Sequence, residues 1–227
     1  MAEYLSDKPS LVAEFHQTLN GDLRPDNLST GSSRKVWWKC PVGDDHLWET
    51  SVYNRCSKGL GCPFCSNQRV SKTNNLLVNF PTIASEWHPT RNGVLTAQDV
   101  TSKSGKKVWW KCPHGDDHEW IVSIANRSNG HGCPFCSRNK VSTTNSLQTL
   151  HPEVAAEWHP TKNKDLLPSD FTAGSGKRVW WKCPKGKDHE WMAGIADRRL
   201  NGCPFCCGKK VSLTNNLKTK FPEVAAE

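Results

Sequence analysis

Twelve residues in this chain have the types and spacing to hold metal ions. Cys40 and His46, Cys112 and His118, and Cys183 and His189 each form a Cys-x5-His pair. Each is followed by a Cys-x2-Cys pair: Cys62 with Cys65, Cys133 with Cys136, and Cys203 with Cys206. Three thiolates and an imidazole are the donors zinc prefers, and four protein ligands close a tetrahedral site. The residues between the pairs shrink from 15 to 14 to 13 while the ligands stay in place, so the ligands define the unit. The alternatives for these thiols are disulfides or a reduced buried cluster, and threefold recurrence of all four positions favours three zinc ions. A closed site leaves no open position at which water could be activated, so metal catalysis is not expected. No paired carboxylates or nucleophile–base set recurs beside it. Asp45, Asp117 and Asp188 precede the ligand histidines, where a hydrogen bond to the ligand or a role in the turn is expected.

These pairs sit in a repeat of roughly 70 residues. Val36-Trp37-Trp38-Lys39-Cys40-Pro41 returns at Val108–Pro113 and Val179–Pro184, in steps of 72 and 71. Gly61-Cys62-Pro63-Phe64-Cys65 returns at Gly132–Cys136 and Gly202–Cys206. Glu86-Trp87-His88-Pro89-Thr90 matches Glu157–Thr161, with a weaker copy at Glu14–Thr18. The expected divisions are module 1 over 1–69, module 2 over 70–140 and module 3 over 141–210. Residues 211–227 read as the start of a fourth copy, which we expect to reflect a longer parent protein rather than a capping half-repeat.

Within module 2, Pro81–Trp87 reads as a two-turn helix with proline at its first position. Val108–Lys111 and Glu119–Ile124 read as the strands of a hairpin, and a Gly-rich loop leads from it to the second metal turn. Asn145 is a candidate cap for the segment that opens the next module. The expected fold class is small α+β zinc-binding modules, three tandem repeats that each set a β-hairpin and a short helix around one zinc. Only 36% of the 227 residues are hydrophobic, too few for one large core, while eleven tryptophans can fill three small ones. Adjacent strand residues face opposite ways, so Trp37 and Trp38 cannot enter the same core layer. Both are expected to be packed, with base stacking by one of them the sharper alternative.

His114 has no counterpart at Val42 or Lys185 and is expected at the surface. The recurring His16, His88 and His159 are expected to pack at a helix end, with a ligand role the lesser reading. Cys56 and Cys207 are unmatched and expected to be free thiols.

The formal charge is +8; nine cysteinates and three Zn2+ would take three from it, leaving about +5, suited to a polyanionic partner. Three sets of cations recur in register. Arg34 with Lys35, Lys106 with Lys107, and Lys177 with Arg178 precede the tryptophan pairs. Arg55, Arg127 and Arg198 lie on the hairpin side of the metal sites. Arg69, Arg138 with Lys140, and Lys209 with Lys210 follow the second metal turns. Any single lysine could simply face solvent; recurrence in three copies points to a phosphate-contacting face. The arginines could instead pair with acids or stack on tryptophan inside the module. The amino terminus lacks an apolar signal segment and no run approaches 18 apolar residues. An intracellular location (cytoplasm and nucleoid, or a nucleus) and no membrane association are therefore expected.

The succession Glu-Trp-His-Pro-Thr, Val-Trp-Trp-Lys-Cys-Pro, Asp-His-Glu-Trp, Arg and Gly-Cys-Pro-Phe-Cys resembles the zinc-ribbon family, also described as a treble-clef repeat. It occurs as tandem arrays in bacteria and large DNA viruses. The resemblance covers nearly the whole chain and implies three tandem treble-clef or zinc-ribbon-like repeats with the same ligand set. Because such arrays are often joined to endonuclease domains, it also implies DNA recognition. This chain departs in its longer Cys-to-His spacing and carries no nuclease segment. Together these readings predict a non-catalytic protein that binds nucleic acid, foremost duplex DNA, with no small-molecule substrate. The alternative is a protein-docking array or a targeting region for a nuclease or other effector.

Overall fold

The computed structural model describes residues 3–226. Elements recur in the same order in each repeat. In the first, α1 (Pro9–Val12) precedes β1 (Lys35–Lys39), β2 (Leu47–Ser51) and α2 (Val52–Cys56). The second comprises α3 (Leu76–Asn79), α4 (Pro81–Ala84), β3 (Lys107–Lys111), β4 (Glu119–Ser123) and α5 (Ile124–Ser128). The third comprises α6 (Leu147–Leu150), α7 (Pro152–Ala155), β5 (Arg178–Lys182), β6 (Glu190–Gly194) and α8 (Ile195–Asn201), and α9 (Leu217–Lys220) follows. The hairpins are three separate two-stranded sheets. By contact density the described residues divide into two compact units. One runs to Lys111 and takes in Ile121–His131; the other holds Cys112–Trp120 and continues from Gly132.

The strands pair antiparallel with Trp38 opposite Trp48 and Trp181 opposite Trp191. A two-stranded ribbon is marginal alone, and here its open edge is covered. The chain at Phe15, Trp87 and Trp158 forms a single bridge to Trp38, Trp110 and Trp181. Its backbone bonds explain why the helix expected over Pro81–Trp87 stops at Ala84. The Glu86 carbonyl accepts from Lys111 N–H at 2.7 Å and His88 N–H donates to Trp109 C=O at 3.1 Å. Helical geometry would turn both groups away from the strand.

The short helix after each hairpin lies where a loop was expected. Ser51 and Ser123 cap α2 and α5 by accepting from the amides of Asn54 and Asn126. α6 is capped by Ser146, not Asn145. Each core is built on the second tryptophan of the pair: Trp38, Trp110 and Trp181 are fully buried. Trp87 meets Trp110 edge-on at 5.5 Å and Trp158 meets Trp181 at 5.4 Å. Each buried indole finds an acceptor, the carbonyl of Thr50, Val122 or Ala193. The first tryptophan of the pair is different. Among the described residues, Trp37 and Trp180 neither belong to the cores of their modules nor pack against them. The expectation that both tryptophans are core is corrected: alternation along the strand leaves one on the far face.

No helix among the described residues is long and apolar enough to cross a membrane.

Candidate metal centres

Each hairpin delivers its first two ligands from the connecting turn. In the first module the turn closes when Cys40 N–H donates to His46 C=O (3.0 Å) and His46 N–H donates to Gly43 C=O (3.1 Å). The same pair of bonds closes the turns at Cys112 and Cys183, so the five-residue spacing forms one regular turn. A glycine three residues before each histidine is required by the ring itself. A Cβ on Gly43, Gly115 or Gly186 would lie 2.7, 2.7 or 2.5 Å from the ligand imidazole. The Cys-Pro-Phe-Cys turn supplies the other two ligands. Its phenylalanine lies flat on the ligand histidine, with Phe64, Phe135 and Phe205 stacked at 5.0 Å on His46, His118 and His189.

The four donor atoms converge. Within each set of Cys40, His46, Cys62 and Cys65; Cys112, His118, Cys133 and Cys136; and Cys183, His189, Cys203 and Cys206, they lie within 4.8 Å of one another. The spacing tests zinc directly. Tetrahedral bonds of about 2.3 Å to sulfur and about 2.05 Å to nitrogen give edges of roughly 3.8 Å (S···S) and 3.6 Å (S···N). Cys40 and Cys65 Sγ are 3.6 Å apart, and His46 Nδ1 is 3.7 Å from Cys62 and from Cys65 Sγ. The second site has 3.6, 3.7 and 3.7 Å, and the third 3.7, 3.7 and 3.6 Å. Residues and spacing fit zinc, and each of the three sites can hold one ion, which would supply positive charge to offset three thiolates. None of the eleven cysteines is in a disulfide, and Cys56 and Cys207, outside the three sets, are free thiols as expected.

Because Nδ1 faces the sulfurs, Nε2 carries the proton and needs an acceptor. It meets two hydroxyls in every module. His46 has Ser71 Oγ at 3.0 Å and Thr73 Oγ1 at 2.8 Å; His118 has Ser142 at 3.0 Å and Thr144 at 2.9 Å; His189 has Ser212 at 3.1 Å and Thr214 at 2.8 Å. Sequence reasoning missed these six residues, although the recurring Val-Ser-x-Thr-Asn run carried the signal. The aspartates expected beside the histidines instead bind that same run. Asp45, Asp117 and Asp188 accept from the backbone amides of Lys72, Thr143 and Leu213 at 2.6–2.7 Å. The bond from Thr143 N–H holds the Asp117 carboxyl below its ordinary range. Asn74, Asn145 and Asn215 finish the tie: Oδ1 accepts from the serine amide and Nδ2 donates to the carbonyl of Phe64, Phe135 or Phe205. Asn145 is thus a clasp on the second metal turn.

The last cysteine of each set is exposed and the other three ligands are buried. Even so, local desolvation pushes the Cys65, Cys136 and Cys206 thiols up to about 12, helped by hydrogen bonds with the two neighbouring cysteines. His114 is exposed as expected, yet its Nδ1 lies 3.2 Å from Cys112 Sγ, a contact Val42 and Lys185 cannot make. His16, His88 and His159 are not ligands. Their Nδ1 atoms accept from backbone amides two and three residues ahead, fixing the turn after each one-turn helix.

The structure separates the basic residues. Arg34, Lys35, Arg69, Lys106, Lys107, Arg138, Lys140, Lys177, Arg178, Lys209 and Lys210 are all exposed. Arg55, Arg127 and Arg198 lie inside their modules, with side chains only 6, 12 and 10% exposed. They pair with Glu14, Glu86 (2.7 Å) and Glu157 (2.5 Å). Arg55 also lies over Trp38 and Trp48, and Arg198 over Trp191. Their guanidinium groups are thus engaged in the intramolecular pairing that the sequence left as the alternative to phosphate contact.

A family model described as a probable treble clef zinc finger domain matches the chain three times, over residues 11–68, 83–139 and 154–209. No curated protein matches it. The three matches cover most of the chain, and each contains one complete Cys-His-Cys-Cys set, so the chain belongs to the treble-clef zinc finger family.

Proposed function

We propose that this chain is a non-catalytic array of zinc-held modules that binds nucleic acid, DNA foremost, by contacting its phosphates. The reading rests on one observation: an exposed pair of cations precedes the buried strand core at the same place in all three modules. These are Arg34 with Lys35, Lys106 with Lys107, and Lys177 with Arg178. Their backbone is anchored while their side chains are exposed, with Arg178 also donating to Met192 C=O at 3.4 Å. Val52 N–H donates to Arg34 C=O, Ile124 N–H to Lys106 C=O and Ile195 N–H to Lys177 C=O, at 3.0–3.1 Å. The amides of Arg34, Lys106 and Lys177 are held by the hydroxyls of Ser32, Ser104 and Ser175. A charge on a fixed backbone loses less freedom on meeting a phosphate than one on a mobile loop. Arg69, Arg138, Lys140, Lys209 and Lys210 add exposed charge after the second metal turn. Modules joined in one chain add their contacts at high effective concentration.

The test is a mobility-shift series on zinc-loaded protein, with salt varied. Affinity for DNA should fall steeply with salt, since each phosphate contact releases counterions. Lys106→Glu with Lys107→Glu should weaken binding and flatten the salt slope by about 2, roughly one per lost contact, with all three zinc ions retained. Binding that ignores both salt and this variant would refute the reading, and DNA-independent capture of a nuclease or other effector would replace it with a docking role.

A further inference from the structure

Of the paired tryptophans, one in each module has an indole that the core does not take up. Strand alternation puts Lys35, Trp37 and Lys39 on the face away from the core in the first hairpin. Lys107, Trp109 and Lys111 take that face in the second, and Arg178, Trp180 and Lys182 in the third. In each case the central indole is half-buried while the residues beside it, Val36 with Trp38, Val108 with Trp110 and Val179 with Trp181, are buried. A large apolar ring outside the core, flanked by cations two residues away on either side, recurs three times.

The backbone of this ring is clamped. Trp37 N–H donates to Asn20 Oδ1 at 2.7 Å and Asn20 Nδ2 donates back to Trp37 C=O at 3.0 Å. Asn92 and Asn163 do the same for Trp109 and Trp180 at 2.8 and 2.9 Å. In the second and third modules a long cationic side chain from the same turn lies over the indole. Arg91 lies 4.7 Å over Trp109, and Lys162 lies 4.5 Å over Trp180. In the third module Glu190 holds Lys162 at 2.5 Å and Lys182 at 3.1 Å, and these two keep its carboxyl down at about 2. Lys162 keeps 42% of its side chain exposed, within reach of solvent and of a strand laid along this face.

We infer that Trp37, Trp109 and Trp180 are stacking platforms for unpaired nucleobases, each base entering as the neighbouring cations take its phosphates. This rests on the nucleic-acid reading above and narrows it to strands that are single or locally opened. A π face flanked by positive charge suits such a strand, because any base can stack on it while the backbone is neutralised. A paired, stacked duplex offers phosphates but no free base face.

The experiment compares a 20-nucleotide oligothymidylate with a 20-base-pair duplex by fluorescence anisotropy, using labelled nucleic acid and zinc-loaded protein. The variants are W37L/W109L/W180L and its aromatic control W37F/W109F/W180F. Three bound zinc ions and an unchanged far-UV spectrum establish that each is folded. The leucine variant should lose roughly fivefold or more of its oligothymidylate affinity per engaged ring, with duplex affinity and salt slope unchanged. The phenylalanine variant should recover much of the loss. Equal losses on both nucleic acids, or unchanged binding of the single strand, would overturn the inference while leaving phosphate binding intact. Absence of binding to either by the parent protein would overturn both readings.

Discussion

At the scale of single residues, the metal centres depend on groups that are not ligands. The Ser and Thr hydroxyls on His46, His118 and His189 fix the imidazole so that Nδ1 faces three sulfurs, and the stacked Phe holds the plane of the ring. Gly43, Gly115 and Gly186 are the tightest requirement: the ring occupies the space a side chain would need. Gly115→Ala should therefore displace His118 and reduce bound zinc from three to two per chain, with the first and third sites filled. Metal analysis after gel filtration would read this directly, and three retained ions would show that the turn can yield. Asp117 acts through its bond to the Thr143 amide. Its lowered carboxyl contributes stability above the ordinary value of 3.8, lost as pH falls through its folded value.

At the scale of elements, each hairpin is held to the segment before it by an internal ion pair. Glu14, Glu86 and Glu157 stand 41 residues before Arg55, Arg127 and Arg198 in every module. The carboxylate and the carbonyl of Glu86 act together, one on the helix after the hairpin and the other on Lys111 N–H. Arg127→Ala should destabilise the second module by about 3 kcal/mol, because a largely buried carboxylate loses its partner. If the chain binds DNA as proposed, the effect on that affinity should be within twofold. Thermal unfolding and mobility shifts on the one variant would separate the two roles, and a large affinity loss without destabilisation would return Arg127 to the binding face.

At the scale of the whole molecule, three small cores are each built on two buried tryptophans, Trp38 with Trp48, Trp110 with Trp120 and Trp181 with Trp191, and a zinc site. Structural zinc contributes on the order of 10 kcal/mol per site, comparable to the entire stability of a small domain. Without metal, the raised thiols of Cys65, Cys136 and Cys206 favour the neutral form. They support the metal-free fold below the ordinary value of 9.0 and oppose it as pH rises toward about 12. Zinc reverses the sign, since it binds thiolates and expels their protons, so its affinity falls as pH drops. Titrating a chelator at pH 8 and pH 5.5 should strip the protein far more readily at the lower pH, and near-UV tryptophan ellipticity should disappear with the metal. Ellipticity that survived complete removal would mean the tryptophan cores stand without zinc.

The twelve ligands, the three repeats and the hairpins were legible in the sequence because each is written in short spacings that local geometry enforces. A Cys-x2-Cys pair or an alternating Val-Trp-Trp-Lys run allows few conformations. The features beyond its reach join residues distant along the chain. The sequence by itself could not show that Arg55 turns inward to Glu14, that Ser71 and Thr73 orient His46, or that the Glu86 carbonyl halts a helix to bond a strand. It presented two tryptophans side by side and required only that they face opposite ways. Packing of Phe15, Trp87 and Trp158 against one of each pair decided which is core, and so left the other on the outer face.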